Sequence, residues 1–139
     1  MHEKNVTRFK DKVRALTRRN RGISFELLLH CLMTYIRGWI GYFALASLKA
    51  KAHEWDGWIR RRLRMYIWKQ WKRVKTRFNN LKKLGVDKEK AWMWANTRKG
   101  YWRTAGSQIL TTTLTNEYLR EQGYVELSEM YKERQHYSA

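Results

Sequence analysis

Residues 55–84 read WDGWIRRRLRMYIWKQWKRVKTRFNNLKKL, and the spacing of their apolar members decides the fold class. Trp55, Ile59, Leu63, Ile67, Trp71, Val74, Phe78 and Leu81 recur at intervals of three and four, one broad stripe of an α-helix. The same wheel sends Arg61, Arg64, Lys72, Lys75 and Lys83 to the far side, together with Trp58 and Trp68. A straight helix of this length would span roughly 45 Å, so a bend or break is expected near Lys69-Gln70 or Asn79-Asn80.

Upstream, Phe25 to Ser47 repeats the pattern through Leu28, Leu32, Ile36, Trp39, Phe43 and Ala46, with Leu29, Met33 and Ile40 widening its apolar surface. This is the expected core helix, and Ser24 is its expected N-cap. Gly38 and Gly41 inside it each cost roughly 1 kcal/mol relative to alanine, which predicts a backbone or ring packed closely against them. Val6, Phe9, Val13 and Leu16 define a first helix over Val6 to Arg19, closed by the turn Asn20-Arg21-Gly22. Downstream, Gly85 stops the long element and Asp87 caps a short helix through Trp92 and Trp94. Ser107 caps a helix through Leu110, Leu114 and Tyr118 that ends at Gly123, and Val125 to Arg134 forms a last one. Proline is absent from all 139 residues, which removes the strongest helix breaker. The expected fold is all-α, a helical bundle over residues 1–84 with a smaller helical unit over 85–139.

Charge is distributed as unevenly as the apolar residues are regular. The net charge is +18, far above the magnitude of about 2–8 that solubility needs in a small domain. Residues 1–83 hold 22 basic and 5 acidic residues, whereas 84–139 hold 8 and 7. From Trp58 to Lys83 there are eleven Lys or Arg and no acid. Solvated helices interleave both signs, because like charges one turn apart repel. An unrelieved run points instead to a polyanion, whose condensed counterions are released on binding. The expected phosphate contacts are Arg60, Arg61, Arg62, Arg64, Lys69, Lys72, Arg73 and Lys75, aided by Lys10, Arg14, Arg18 and Arg19. Arg37, inside the apolar helix, suits a salt bridge, a cation–π contact or RNA equally well. Trp58 and Trp68 are the candidates for base stacking.

Catalytic signatures are missing. His2, His30, His53 and His136 are scattered, Cys31 is the single cysteine, and no Cys-x-x-Cys, His-Glu-x-x-His or glycine-rich phosphate loop occurs. His30 reads as a packed helix histidine, and no metal or cofactor is expected. One cysteine excludes an internal disulfide and fits a reducing compartment, and no apolar run is long enough to cross a membrane. The expected location is cytoplasmic.

Arg37-Gly38-Trp39-Ile40-Gly41-Tyr42-Phe43, preceded by Gly22-Ile23-Ser24 and followed by Leu63-Arg64 and Trp68-Lys69-Gln70-Trp71-Lys72, resembles the maturase-specific region of group II intron reverse transcriptases. Tyr101-Trp102-Arg103, the Ser107 to Leu119 helix and Gly123-Tyr124-Val125-Glu126-Leu127 with Tyr131 look like the carboxy-terminal end of bacterial members. The resemblance implies a thumb, or X, domain at 1–84 and a small region at 85–139 similar to the family's DNA-binding region. It implies binding of structured intron RNA to assist splicing, help in holding the template–primer duplex, and association with upstream reverse transcriptase domains. The paired polymerase aspartates and an endonuclease Cys/His cluster are not in the sequence, so the chain is expected to be a non-catalytic fragment of such a protein. The charge alone also permits double-stranded DNA binding, a basic amphipathic helix on an anionic membrane, or a purely structural thumb. If the far side of the wheel binds RNA, reversing Arg61, Arg64 and Lys72 to Glu should weaken binding at least tenfold without unfolding the domain.

Overall fold

The computed structural model describes residues 3–43 and 45–138, with side-chain surroundings for 3–43 and 46–133; His2 and the side chains of Arg134 and His136 lie outside them. Among the described residues every regular element is helical: α1 (Glu3–Leu16), α2 (Phe25–Ile40), α3 (Leu45–Gln70), α4 (Val74–Lys83), α5 (Lys88–Ala95), α6 (Tyr101–Ala105), α7 (Gln108–Thr111), α8 (Asn116–Gln122) and α9 (Leu127–Ser138). The all-α expectation holds.

The caps explain most of the boundaries. Ser24 accepts the Leu27 N–H at the start of α2, Asp87 that of Lys90 at α5, Ser107 that of Ile109 at α7 and Thr115 that of Tyr118 at α8. Each satisfies a backbone donor that the first helical turn leaves unpaired. Gly123 ends α8 with φ of 118°, a left-handed conformation that a side chain would strain.

Two expected helices are divided differently. The core helix stops at Ile40 rather than Ser47, because a turn carried by Tyr42 N–H to Trp39 O (2.9 Å) and Phe43 N–H to Ile40 O (3.2 Å) redirects the chain into α3 ten residues before Trp55. Ile40 and Leu48 are buried on either side of that turn, so the apolar period runs through a bend it cannot register. The long basic element breaks after Gln70, where a bend was expected, and α4 resumes at Val74. The Ser107 helix is two, with Thr115 capping the second. Beyond its chain neighbours and the backbone of its own helix, Gly38 has no atom within 4 Å of where a Cβ would stand, so its expected close neighbour is absent.

Helix α3 is the axis of the molecule. Its most extensive packing is with α9 and α6, while α4 packs on α5 and α1 on α2. All six residues from Leu63 to Trp68 are buried. The stripe Trp55, Ile59, Leu63 and Ile67 enters one continuous core with Phe9 and Val13 of α1, Leu28, Leu32 and Ile36 of α2, and Leu119, Leu127 and Met130. Asp56, 1% exposed, fastens α9 to this axis: its carboxylate accepts the Tyr124 hydroxyl (2.6 Å) and the N–H groups of Leu127 (2.7 Å) and Ser128 (3.1 Å).

Candidate nucleic-acid interface

The arginine cluster that opens the basic run is turned inward. Arg64, 6% exposed, donates from Nε to Leu114 O (2.6 Å) and from Nη2 to Asn116 Oδ1 (2.8 Å). Burial, and after it the like charge of Arg60, lower its pKa to about 10, so it stays charged at neutral pH. Arg60 forms an ion pair with Glu126 at 3.0 Å, each side chain about one-seventh exposed. Arg62 donates to Thr17 Oγ1 (3.0 Å) and to Arg14 O (3.1 Å), and burial followed by the charges of Arg14 and Arg18 lowers its pKa. Arg61 grips Trp102 O through Nε (3.1 Å) and Nη2 (2.8 Å) and lies 4.0 Å from the centre of the Trp102 ring.

The expectation that Arg64 faces phosphate is therefore corrected, because the junction of α7 and α8 meets Arg64 on the side of α3 that a wheel with one apolar face leaves open. Trp68 is corrected as well: it is 1% exposed, set edge-on to Trp71 at 6.1 Å and covered by Arg77 of α4 at 4.2 Å. Trp58 is half-buried, with Arg14 at 5.3 Å and Lys10 at 6.0 Å from its ring centre. The reversal of Arg61, Arg64 and Lys72 can no longer be expected to spare the fold, since Arg64 is an internal brace. His30, expected to be packed, is exposed. Arg37 is exposed in a separate cleft with Glu26, His30 and Gln122, and makes no ion pair among the described residues.

What remains open is a groove where the α1–α2 turn meets the end of α3. Two adjoining clefts share Arg19 and Asn20. One, of about 450 Å³, is walled by Ile23, Tyr66, Lys69 and Lys72; the other, of about 360 Å³, by Arg18, Arg62, Met65 and Trp102. Neither is lined by an acidic residue. The turn is held against α3 through its backbone: the Tyr66 hydroxyl accepts the Ile23 N–H (3.0 Å) and donates to Ile23 O, and Gln70 Nε2 donates to the same carbonyl at 3.1 Å. That clamp keeps Arg18 and Arg19 opposite Lys69 and Lys72. Beyond it, Lys72, Arg73 and Lys75 are exposed and make no ion pair among the described residues.

Helix α6 supplies two rings that sequence reasoning had not placed at a site. Arg19, Lys69 and Arg77 stand 4.9, 5.4 and 5.9 Å from the Tyr101 ring centre, and Arg62 5.9 Å from that of Trp102. Burial lowers the pKa of Arg77, which also donates to Trp68 O at 3.2 Å. The adjacent pair Tyr101-Trp102 is the signal that could have been read, since two large rings opening a helix beside a basic chain are suited to cation–π contact. Chemically, the groove offers positive charge with no acid among its lining side chains, which suits a phosphate backbone, beside two aromatic rings.

No curated protein matches the chain. The sequence model of one family, described as the group II intron maturase-specific domain, matches residues 6–85, which carry α1 to α4 and with them the clamped turn and the basic end of α3. The chain belongs to the group II intron maturase-specific domain family.

Proposed function

We propose that this maturase domain is a non-catalytic RNA-binding module that holds structured intron RNA by its phosphates in the groove between the α1–α2 turn and α3. The observation that carries the reading is the groove itself: Arg18, Arg19, Arg62, Lys69 and Lys72 converge with no acidic residue among the lining side chains. A-form RNA hides its base edges in a deep, narrow groove, so recognition of this kind rests on the shape of the folded intron. Such binding would stabilise the intron's active fold for splicing and help to hold a template–primer duplex beside upstream reverse transcriptase domains. The burial of Trp55, Ile59, Leu63 and Ile67 in the core argues against a membrane-surface helix, which needs that stripe exposed.

The test is binding of cognate intron RNA, an unrelated folded RNA of equal length, and target-site duplex DNA at several salt concentrations. Replacing Arg19, Lys69 and Lys72 together by Glu should weaken intron RNA binding at least tenfold, about 1.4 kcal/mol, without changing the circular dichroism spectrum. Undiminished affinity would remove the groove from the reading. Tighter binding of target DNA than of intron RNA at matched salt would replace RNA by DNA as the ligand.

A further inference from the structure

The α4–α5 hairpin carries an exposed ring and cations that the groove does not use. Trp92 is 56% exposed and Met93 63%, although Ala91 and Ala95 of the same helix are buried. Phe78 of α4 meets Trp92 edge to face, with ring centres 5.5 Å apart and planes at 83°, which fixes the indole while more than half of it stays in solvent. Lys82 Nζ lies 5.1 Å from the Phe78 ring centre, and Lys75 and Lys88 stand about one turn from Phe78 and Trp92 respectively. Helix α4 contains no acidic residue. Two acids stand at the start of α5, Asp87, whose carboxylate caps Lys90 N–H at 2.9 Å, and Glu89.

We infer that the exposed Trp92 of this hairpin, backed by the half-buried Phe78, is a second nucleic-acid site, which takes an unpaired strand by stacking a nucleobase on Trp92 while Lys75, Lys82 and Lys88 meet the flanking phosphates. The occupant follows from charge and shape together. A ring that presents its surface to water inside a field of cations fits a ligand with an aromatic face and a negative backbone, and unpaired nucleotides have both. The core of a protein-binding patch is depleted in charge, whereas this hairpin carries Lys75, Lys82 and Lys88 beside its rings. Duplex RNA keeps its bases stacked on one another, so the groove and the hairpin would take different parts of one folded RNA. The inference rests on the nucleic-acid reading of the domain but on different residues.

The experiment uses the full chain, short oligoadenylate, and an abasic oligomer of equal length and charge. At near-physiological salt, wild type should bind the oligoadenylate at least roughly fivefold more tightly than the abasic strand, the lower end of what one stacked base contributes. Trp92→Ala should abolish that preference, Trp92→Phe should keep most of it, and both should retain wild-type affinity for a blunt RNA duplex. The Arg19, Lys69 and Lys72 to Glu variant should lose duplex affinity and keep the preference for bases, so failure of the groove and failure of the hairpin are separable. Equal binding of both strands by wild type, or an undiminished preference in Trp92→Ala, would overturn the inference and leave the exposed ring to a protein contact.

Discussion

Arg60 to Arg64 and Lys69 to Lys75 are neighbouring parts of one cation run, yet one part braces the fold and the other faces solvent. Each arginine of the first part reaches a different segment: Arg60 the Glu126 that precedes α9, Arg61 the backbone of α6, Arg62 the end of α1, and Arg64 the junction of α7 and α8. In the second part Lys72, Arg73 and Lys75 are exposed without ion pairs among the described residues. Apart from the exposed Arg73, the residue types follow the division. A guanidinium spreads five donors over a planar fork and is weakly hydrated, which suits carbonyls inside a fold; an ammonium is compact and strongly hydrated. A run of positive charge is thus not one functional unit, and the choice of Arg over Lys within it carries information.

The comparison breaks most sharply at the braces. Arg64→Glu would set a carboxylate against Leu114 O and Asn116 Oδ1 in a buried site, with an expected loss on the order of 3–5 kcal/mol and a thermal melt that is lowered or lost. Asp56→Ala strips three donors of their shared acceptor and should cost about 3 kcal/mol. Amide exchange in α9 should then accelerate ahead of that in α2. A melt unchanged in either variant would show that these contacts do not hold the fold.

The same division decides how much was legible in the sequence. The helices were readable because apolar period and caps coincide: Ser24, Asp87 and Ser107 each stand where a helix begins. The turn at Gly41 to Phe43 was not, since both of its flanks are apolar and continue the same core. Of the residues singled out for their charge, Arg18, Arg19, Lys69 and Lys72 line the two adjoining clefts of the groove. Arg64 and Trp68 were misplaced because a wheel assumes one covered face, while α3 is wrapped by helices from distant sequence. Tyr101 and Trp102 come to the groove only through that wrapping, which no local pattern encodes.

Tyr124 sharpens the contrast through pH. Burial, and then the charge of Asp56 that its hydroxyl faces, raise the Tyr124 pKa well above its ordinary 10.0. Between the unfolded pKa and this raised value the folded state holds a proton that the unfolded state has released, so stability is full below about pH 10 and falls as pH rises beyond it. Tyr124→Phe should cost about 2 kcal/mol at neutral pH, as a hydrogen bond to a charged acceptor is lost, and should make the alkaline decline shallower. Urea melts at neutral pH and above pH 10 measure both. A decline as steep as in wild type would place its origin in other tyrosines.

Arg61 lies between the two classes, half-buried and gripping a single carbonyl, and Gly106 tests which it resembles. A Cβ built on Gly106 would come within 2.6 Å of the Arg61 guanidinium, although the backbone there (φ of −92°) is open to any residue. Gly106→Ala should therefore cost about 1 kcal/mol by pushing Arg61 off Trp102 O, and this penalty should vanish when Arg61 is already Ala, the signature of coupling in a double-mutant cycle. Additive losses would mean that the glycine matters for another reason.

The smallest effect on stability is expected where the cations are open. Lys72→Gln and Lys75→Gln remove charges with no ion-pair partner among the described residues, so melting should shift within the few tenths of a kcal/mol typical of surface changes. If each lysine meets one phosphate, each substitution should lower the slope of log affinity against log salt by roughly 0.7–0.9. A lowered slope with an unchanged melt would assign these lysines to binding alone. An unchanged slope would mean that RNA passes them by, and that the uncompensated charge acts only within the groove of Arg18, Arg19 and Lys69.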